Sequence, residues 1–298
     1  MGLTDGEIMT LSGAISTATM IGVRLARTTK ESQTSMLNTR LAGTMESGAN
    51  QQTLAVLIDA DNAQALIIDE LLAEVARYGE ATIRRIYGDF TSPHSSQWKK
   101  VLNKYAIKPV QQFAYTTGKN ATDSRLIIDA MDLLHKGIVG GFCLVSSDSD
   151  FTKLATRLRE SGMKVFGFGE KKTPNPFIVA CDKFIYIEIL KGTSGSRIIE
   201  TKSPIANKDV KHETVQQINK EILDLISDTV EDLADEDGWA FLGEVGSLLI
   251  KKKPDFDPRN YGFEKLTPLI KSLKEIFDID ERLTERASIK LVYIRTKR

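Results

Sequence analysis

Leu54, Ala55, Val56, Leu57 and Ile58 form an unbroken apolar run that stops at Asp59, with Asp61 and Asn62 close behind. So short a run suits a strand buried on both faces of a helix-covered parallel sheet. Asp59 then falls at the strand's carboxyl end, where open α/β sheets place their ligands. The arrangement recurs: Asp89 follows a run over 81–87, and Asp148 and Asp150 follow a run over 142–146. Asp123 opens the helix that leads into the latter run. Parallel strands share one carboxyl edge, so these carboxylates are expected to converge on a single cleft. Grouped carboxylates repel one another and need a shared cation. Oxygen donors without His or Cys select Mg²⁺ or Mn²⁺. Such an ion lowers the pKa of a bound water and offsets charge on a phosphoryl oxygen, which is the chemistry of phosphodiester cleavage.

Within the cluster, Asp59, Asp123 and Asp148 are the expected metal ligands, with Asp150 a further ligand or the base that orients water. Asn62, three residues after Asp59, reaches back to hold Asp59 or a phosphate. Lys119, in the polar loop over 116–122, is placed to contact a phosphate; a solvated lysine is the competing reading. Helix capping competes for the acids as well, because Asp61, Asp123, Asp148 and Asp150 all lie at helix starts, where Asp is favoured. Capping accounts for any one of them and not for their recurrence along one edge. Asp129 lies six residues beyond Asp123, about 600° around a helix, so it does not share that face and reads as a supporting or structural acid. Asp89 either supports the site or caps a turn.

The elements that must position these side chains alternate. Strands are expected over 54–58, 81–87, 107–113, 142–146, 164–168 and 184–189, and helices over 63–77, 95–105, 123–136, 151–161 and 177–180. That order predicts an α/β unit over 53–190 with right-handed crossovers and a largely parallel sheet. Residues 1–52 are rich in Ser, Thr, Gly and Met without sustained periodicity. They read as a disordered leader, or as an over-extended start with Met36 or Met45 the true first residue. A linker follows over 191–209. Residues 210–298 then carry helices over 212–232, 239–250 and 263–274 and strands over 277–279 and 289–294, the order of a small winged helix-turn-helix.

Composition adds bounds. A chain of 298 residues, 41% hydrophobic and 27% charged, holds about two globular domains of ~150 residues. Lys plus Arg equals Asp plus Glu at 40 each, so net charge points to no partner. Charge is nonetheless segregated: residues 209–245 carry two basic and eleven acidic side chains, and 246–298 carry thirteen basic and eight acidic. Lys251, Lys252, Lys253, Arg259, Lys265, Lys271 and Lys274 beside Tyr261 form a candidate nucleic-acid surface, with a merely solvated face as the alternative. Cys143 and Cys181 sit in apolar contexts without metal-site spacing and read as buried thiols of a cytoplasmic protein. No apolar run nears the ~18–20 residues of a membrane span, and no membrane partner is expected.

Three stretches together resemble the acidic motifs of NYN domains, the LabA-like branch of the PIN-like ribonuclease superfamily. They are Leu57-Ile58-Asp59-Ala60-Asp61-Asn62, Gly118-Lys119-Asn120-Ala121-Thr122-Asp123 and Leu144-Val145-Ser146-Ser147-Asp148-Ser149-Asp150-Phe151. The resemblance covers about 53–190 and implies a PIN-like Rossmannoid parallel sheet with helices on both faces. It implies a Mg²⁺- or Mn²⁺-dependent nuclease acting on RNA, single-stranded by expectation, with acids at Asp59, Asp123, Asp148 and Asp150 and an amide at Asn62. Ala60-Asp61 stands where the family usually has Gly. Residues 238–246 and 257–266 resemble the OST-HTH/LOTUS domain, which implies a winged-helix module that binds RNA or docks a protein. In that module Lys252, Arg259, Tyr261 and Lys265 are the expected RNA contacts. The combined expectation is a metal-dependent endoribonuclease with an attached RNA-binding module; the rival is an RNA-binding adaptor without catalysis. Asp59-Ala60-Asp61 also resembles the haloacid-dehalogenase nucleophile motif, but Ala63 stands where that motif has a hydroxyl residue.

Overall fold

The computed structural model describes residues 52–91, 96–113, 121–191, 217–283 and 290–297. Residues 1–51 of the expected leader, residues 192–209 of the expected linker, and Lys119 lie outside them. The first module begins with β1 (Thr53–Asp59) and α1 (Ile68–Val75), the latter entered through a 3-10 turn (Ala65–Ile67). Next come β2 (Glu80–Gly88), α2 (Ser96–Leu102), β3 (Lys108–Gln111), α3 (Ala121–Lys136) and β4 (Gly141–Val145). A 3-10 turn (Ser149–Phe151) leads into α4 (Thr152–Glu160), then β5 (Lys164–Gly169), α5 (Asn175–Ala180), β6 (Lys183–Tyr186) and α6 (Ile187–Lys191). The six strands form one parallel sheet in the order β3-β2-β1-β4-β5-β6.

Why β1 is apolar throughout follows from its alternation. Leu54, Val56 and Ile58 enter a core shared with Ile68, Leu71 and Val75 of α1, Trp98 of α2 and Leu190 of α6. Ala55 and Leu57 enter the core on the opposite face, with Leu126 and Leu133 of α3, Leu158 of α4 and Phe177 of α5. A strand whose side chains alternate between two covered faces reads as a near-continuous apolar run, and a polar residue on it needs hydrogen-bond partners. All five residues of the run are fully buried, each stabilising the fold by roughly 1–3 kcal/mol.

The strand order reverses between β1 and β4, and the chain leaves them toward opposite faces, since α1 packs in one core and α4 in the other. Such a reversal opens a crevice at the carboxyl ends of these two strands. One further tie sets the crevice wall. Asp129 of α3 receives Arg85 Nη1 at 2.5 and 2.6 Å on its two oxygens, and the Tyr87 hydroxyl at 2.5 Å. Burial would raise the Asp129 carboxyl, but Arg85 and Tyr87 outweigh it and hold it low. Asp129 thus fastens α3, and with it Asp123, across β2.

The second module contains α7 (Lys220–Leu233), β7 (Ala240–Phe241), α8 (Leu242–Lys252), a 3-10 turn (Pro258–Tyr261), α9 (Leu266–Ser272), β8 (Phe277–Leu283) and β9 (Lys290–Thr296). Asn219 caps α7 by accepting from the Ile222 N–H at 3.1 Å. Ile226, Val245, Leu249, Leu269, Phe277 and Ile294 build a core separate from the two sheet faces. An antiparallel sheet ordered β7-β9-β8 closes it, giving three helices and a hairpin.

Several boundaries differ from expectation for physical reasons. Leu66, an apolar residue within the helix expected over 63–77, is 86% exposed because the first turn is 3-10 and rotates it outward. The strand expected over 184–189 stops at Tyr186, and Ile187–Lys191 turns helical to pack its apolar residues on the α1 face. Trp239 precedes α8 rather than opening it, since Ala240 and Phe241 pair with β9.

Asp129→Ala is expected to cost about 2 kcal/mol in urea unfolding, because it leaves Arg85 and the Tyr87 hydroxyl without their partner in a half-buried place. Asp129→Asn should cost clearly less. Equal midpoints for both variants and the parent would contradict the role of this tie.

Candidate metal centre

Asp59, the last residue of β1, is fully buried at the crevice floor. A buried carboxylate requires hydrogen bonds, and it has three. Its Oδ2 accepts from Asn62 Nδ2 at 2.7 Å and from Ser146 Oγ at 2.8 Å. Its Oδ1 accepts from the Asp61 N–H at 3.0 Å. Ser146 then accepts from the Asp148 N–H at 3.1 Å, and Asp148 Oδ1 accepts from the Asp150 N–H at 2.9 Å. One relay of hydrogen bonds therefore runs from the end of β1 to the acids after β4. Ser147 adds a brace toward β5 by accepting from the Glu170 N–H at 2.8 Å.

Asp123, in the first turn of α3, meets Asp148 and Asp150 above this floor. Carboxylate oxygens of the three lie within 4.8 Å of one another. Partial burial raises the Asp123 carboxyl, and the charges of Asp59, Asp148, Asp150 and Asp61 add to it, bringing it to about 6. Asp61, exposed at the rim, is raised by partial burial and by the charges of Asp59 and Asp89. Oxygen donors at this separation fit a hard divalent ion such as Mg²⁺ or Mn²⁺, which would relieve the repulsion that holds Asp123 up.

Asp59, also expected as a ligand, is not among the three acids whose oxygens lie within 4.8 Å of one another. Its oxygens are engaged by Asn62, Ser146 and the Asp61 amide, so it stands beside the group and weighs on Asp123 through its charge. Capping and clustering turn out to coexist at Asp148, which caps the 3-10 turn with one oxygen while belonging to the acidic group. Asp89 serves a turn: it accepts from Thr91 N–H and Oγ1 and from Gln111 Nε2.

Residues 53–188 match the family model of the NYN domain, and residues 213–288 match that of the OST-HTH/LOTUS domain. The chain joins an NYN domain to an OST-HTH/LOTUS domain. NYN domains are generally nucleases, and the OST-HTH/LOTUS domain suggests RNA binding. A protein of unknown function from Vibrio parahaemolyticus aligns in structure at 19% identity over 47% of this chain and 96% of its own, with a TM-score of 0.41. An uncharacterized protein from Nitrosomonas europaea aligns at 33% identity over 33% of this chain and 92% of its own, with a TM-score of 0.26. Among curated proteins there is no match. No helix among the described residues is long and apolar enough to cross a membrane.

In the OST-HTH domain the expected RNA contacts separate. Lys265 is exposed. Lys252 pairs with Asp232 at 2.6 Å. Arg259 does not join an exposed basic stripe: its guanidinium is held by Glu74 of the NYN domain and by Asp257, each within 3 Å. Tyr261 is buried and packs against Phe256, so its ring offers no stacking face. A local surplus of positive charge says nothing about which cations find buried partners. Ser146 is the residue that reading the acids alone overlooks. The available signal was a hydroxyl at the strand end, two residues before Asp148.

With a pKa of about 6 in the fold and the usual 3.8 when unfolded, Asp123 binds more protons folded than unfolded. The metal-free protein therefore loses stability as pH rises from about 4 to above 6. Asp123→Asn should raise the metal-free melting temperature at pH 7.5 by about 2–4 °C, discounted for the group's partial exposure. The same variant should abolish the rise that Mn²⁺ produces, and in the parent that rise should shrink as pH falls through 6. Thermal scans with and without Mn²⁺ at pH 5 and 7.5 check this; an unaltered Mn²⁺ response in the variant counts against the site.

Proposed function

We propose that the chain is a divalent-metal-dependent endoribonuclease whose OST-HTH domain helps hold RNA. The observation that carries this reading is the convergence of Asp123, Asp148 and Asp150 within 4.8 Å at the crevice of an NYN domain. Asp123, Asp148 and Asp150 would hold a Mg²⁺ or Mn²⁺ ion, which when bound lowers the pKa of a water and offsets charge on the scissile phosphate.

The chain's own groups supply the rest. Asp150, the most exposed of the three acids, stands where it can accept the proton of the attacking water. Attack on phosphorus forms one P–O bond and breaks the P–O ester bond to the leaving ribose oxygen. Asn62 and Ser146 hold Asp59 in a single orientation, and through Ser146 they set the Asp148 backbone. Asp59 thereby acts as a positioning residue and as a fixed negative charge that strengthens cation binding at Asp123. Lys119 and Lys265 remain the proposed phosphate contacts, and single-stranded RNA the proposed substrate, because an unpaired strand bends into a narrow crevice more easily than a rigid duplex.

Asp148→Asn is expected to lower cleavage of single-stranded RNA by at least about 100-fold, ~2.7 kcal/mol in the barrier. Asp59→Asn should lower it by a similar factor, with RNA affinity little changed in both. Cleavage is followed on mixed RNA with Mn²⁺, Mg²⁺ or EDTA. Wild-type protein that binds RNA but shows no metal-stimulated cleavage would return the chain to the adaptor reading.

A further inference from the structure

Within the OST-HTH domain, residues 253–262 are shaped before they touch anything else. Asp257 caps the 3-10 turn by accepting from the Arg259 N–H at 3.0 Å, and Asn260 Nδ2 donates to the Asp255 carbonyl at 3.0 Å. Gly262 ends the turn at φ 84°, a conformation that a side chain would strain. Phe256 and Tyr261 anchor the segment in the OST-HTH core.

This preformed segment lies against the NYN domain. The Phe184 N–H of β6 donates to the Pro254 carbonyl at 2.8 Å. Strand β6 is the last of the sheet, and an uncovered edge strand invites pairing with other chains. The Tyr186 hydroxyl donates to Asp255 at 2.9 Å. At the end of α1, Arg259 grips Glu74 through two terminal nitrogens, each at 2.9 Å. Lys183 stands 3.9 Å from Asp257 and over the Tyr78 ring, whose hydroxyl donates to Glu74 at 2.7 Å. Glu74 is only 5% exposed. Burial raises its carboxyl, yet hydrogen bonds from Arg259 and Tyr78 and the charges of Arg259 and Arg77 bring it down to about 2. Charges this deeply buried are tolerated only when paired. Glu74 has Arg77 of its own domain at 3.0 Å, and Arg259 has Asp257 of its own at 2.8 Å. The bidentate Glu74–Arg259 pair joins the two across the domain boundary.

We propose that residues 254–261 are an intramolecular docking segment whose partner is the edge strand and α1 end of the NYN domain. The OST-HTH domain is then a fixed wall of one RNA-facing body and not a module on a tether. That RNA meets this body rests on the proposed function; the docking does not.

The test uses the full chain with Glu74→Ala and Arg259→Ala. Each is expected to speed hydrogen exchange of the Phe184 amide by at least about tenfold, while the central amides of Val56 and Leu144 keep their protection. RNA affinity, measured without divalent metal, should change equally in the two variants. Were Arg259 an RNA contact, only Arg259→Ala would weaken binding, because Glu74→Ala leaves the guanidinium in place. Loss confined to Arg259→Ala, or an unchanged Phe184 amide in both variants, overturns the docking. Tyr186→Phe removes one hydrogen bond and leaves the buried charges paired, so it serves where the alanine variants fail to fold. It should speed Phe184 exchange by about threefold, and no change there also overturns the proposal. Neither readout involves cleavage, so failure of the nuclease reading would leave this result standing.

Discussion

The candidate site depends on one constraint: a carboxylate is buried where two parallel strands part. Strands β1 and β4 end side by side, and their helices leave to opposite faces. One backbone N–H, that of Asp61, satisfies Asp59 Oδ1, and side chains from both strand ends satisfy Oδ2. Asn62 comes from the loop after β1 and Ser146 from the loop after β4. Satisfying one buried acid thus ties the two loops together. The same hydroxyl then receives the Asp148 N–H, which orients the turn that carries Asp150. Asp148 and Asp150 are placed as a consequence of hydrogen-bonding the acid beneath them.

Asp123 reaches the group by a different route. It rides on α3, and α3 is fastened six residues further on by Asp129, Arg85 and Tyr87. Asp123, partly buried, and Asp129, buried, lie on one helix, yet their carboxyls move in opposite directions. Asp129 is held low because a guanidinium and a phenol face it. Asp123 rises to about 6 because partial burial is reinforced there by the charges of four carboxylates. A repulsive cluster of this kind costs stability in the absence of a cation, and that cost is offset by rigid packing elsewhere in the sheet.

Much of this was legible in the residues. The apolar run over 54–58 could only be a strand covered on both faces, and acids recurring after such runs could only share one sheet edge. Strand order was not legible, because alternation shows that strands are parallel without showing which are neighbours. The reversal between β1 and β4 therefore had to come from the structure, as did the separation of Asp59 from the three-acid group. Spacing along the chain shows that a carboxylate is near the cleft, and not which of its oxygens are already engaged. Ser146 was hidden for the same reason: a serine at a strand end is common, and only the buried Asp59 opposite gives it a role.

Arg259 shows where charge patterning stops being informative. In the chain it stands among lysines, in a half of the OST-HTH domain with a surplus of positive charge. Its partner, Glu74, lies 185 positions away on a helix that reads as an ordinary amphipathic surface. A planar, always-charged guanidinium can be buried against two carboxylates at once, whereas an ammonium strongly prefers its water. The arginine is therefore the cation of this stretch best suited to an interface, whereas Lys251, Lys252, Lys265, Lys271 and Lys274 are exposed, Lys252 and Lys271 in ion pairs with Asp232 and Glu281. The residue that most resembled a nucleic-acid contact by type is the one the fold uses for an ion pair between its own two domains.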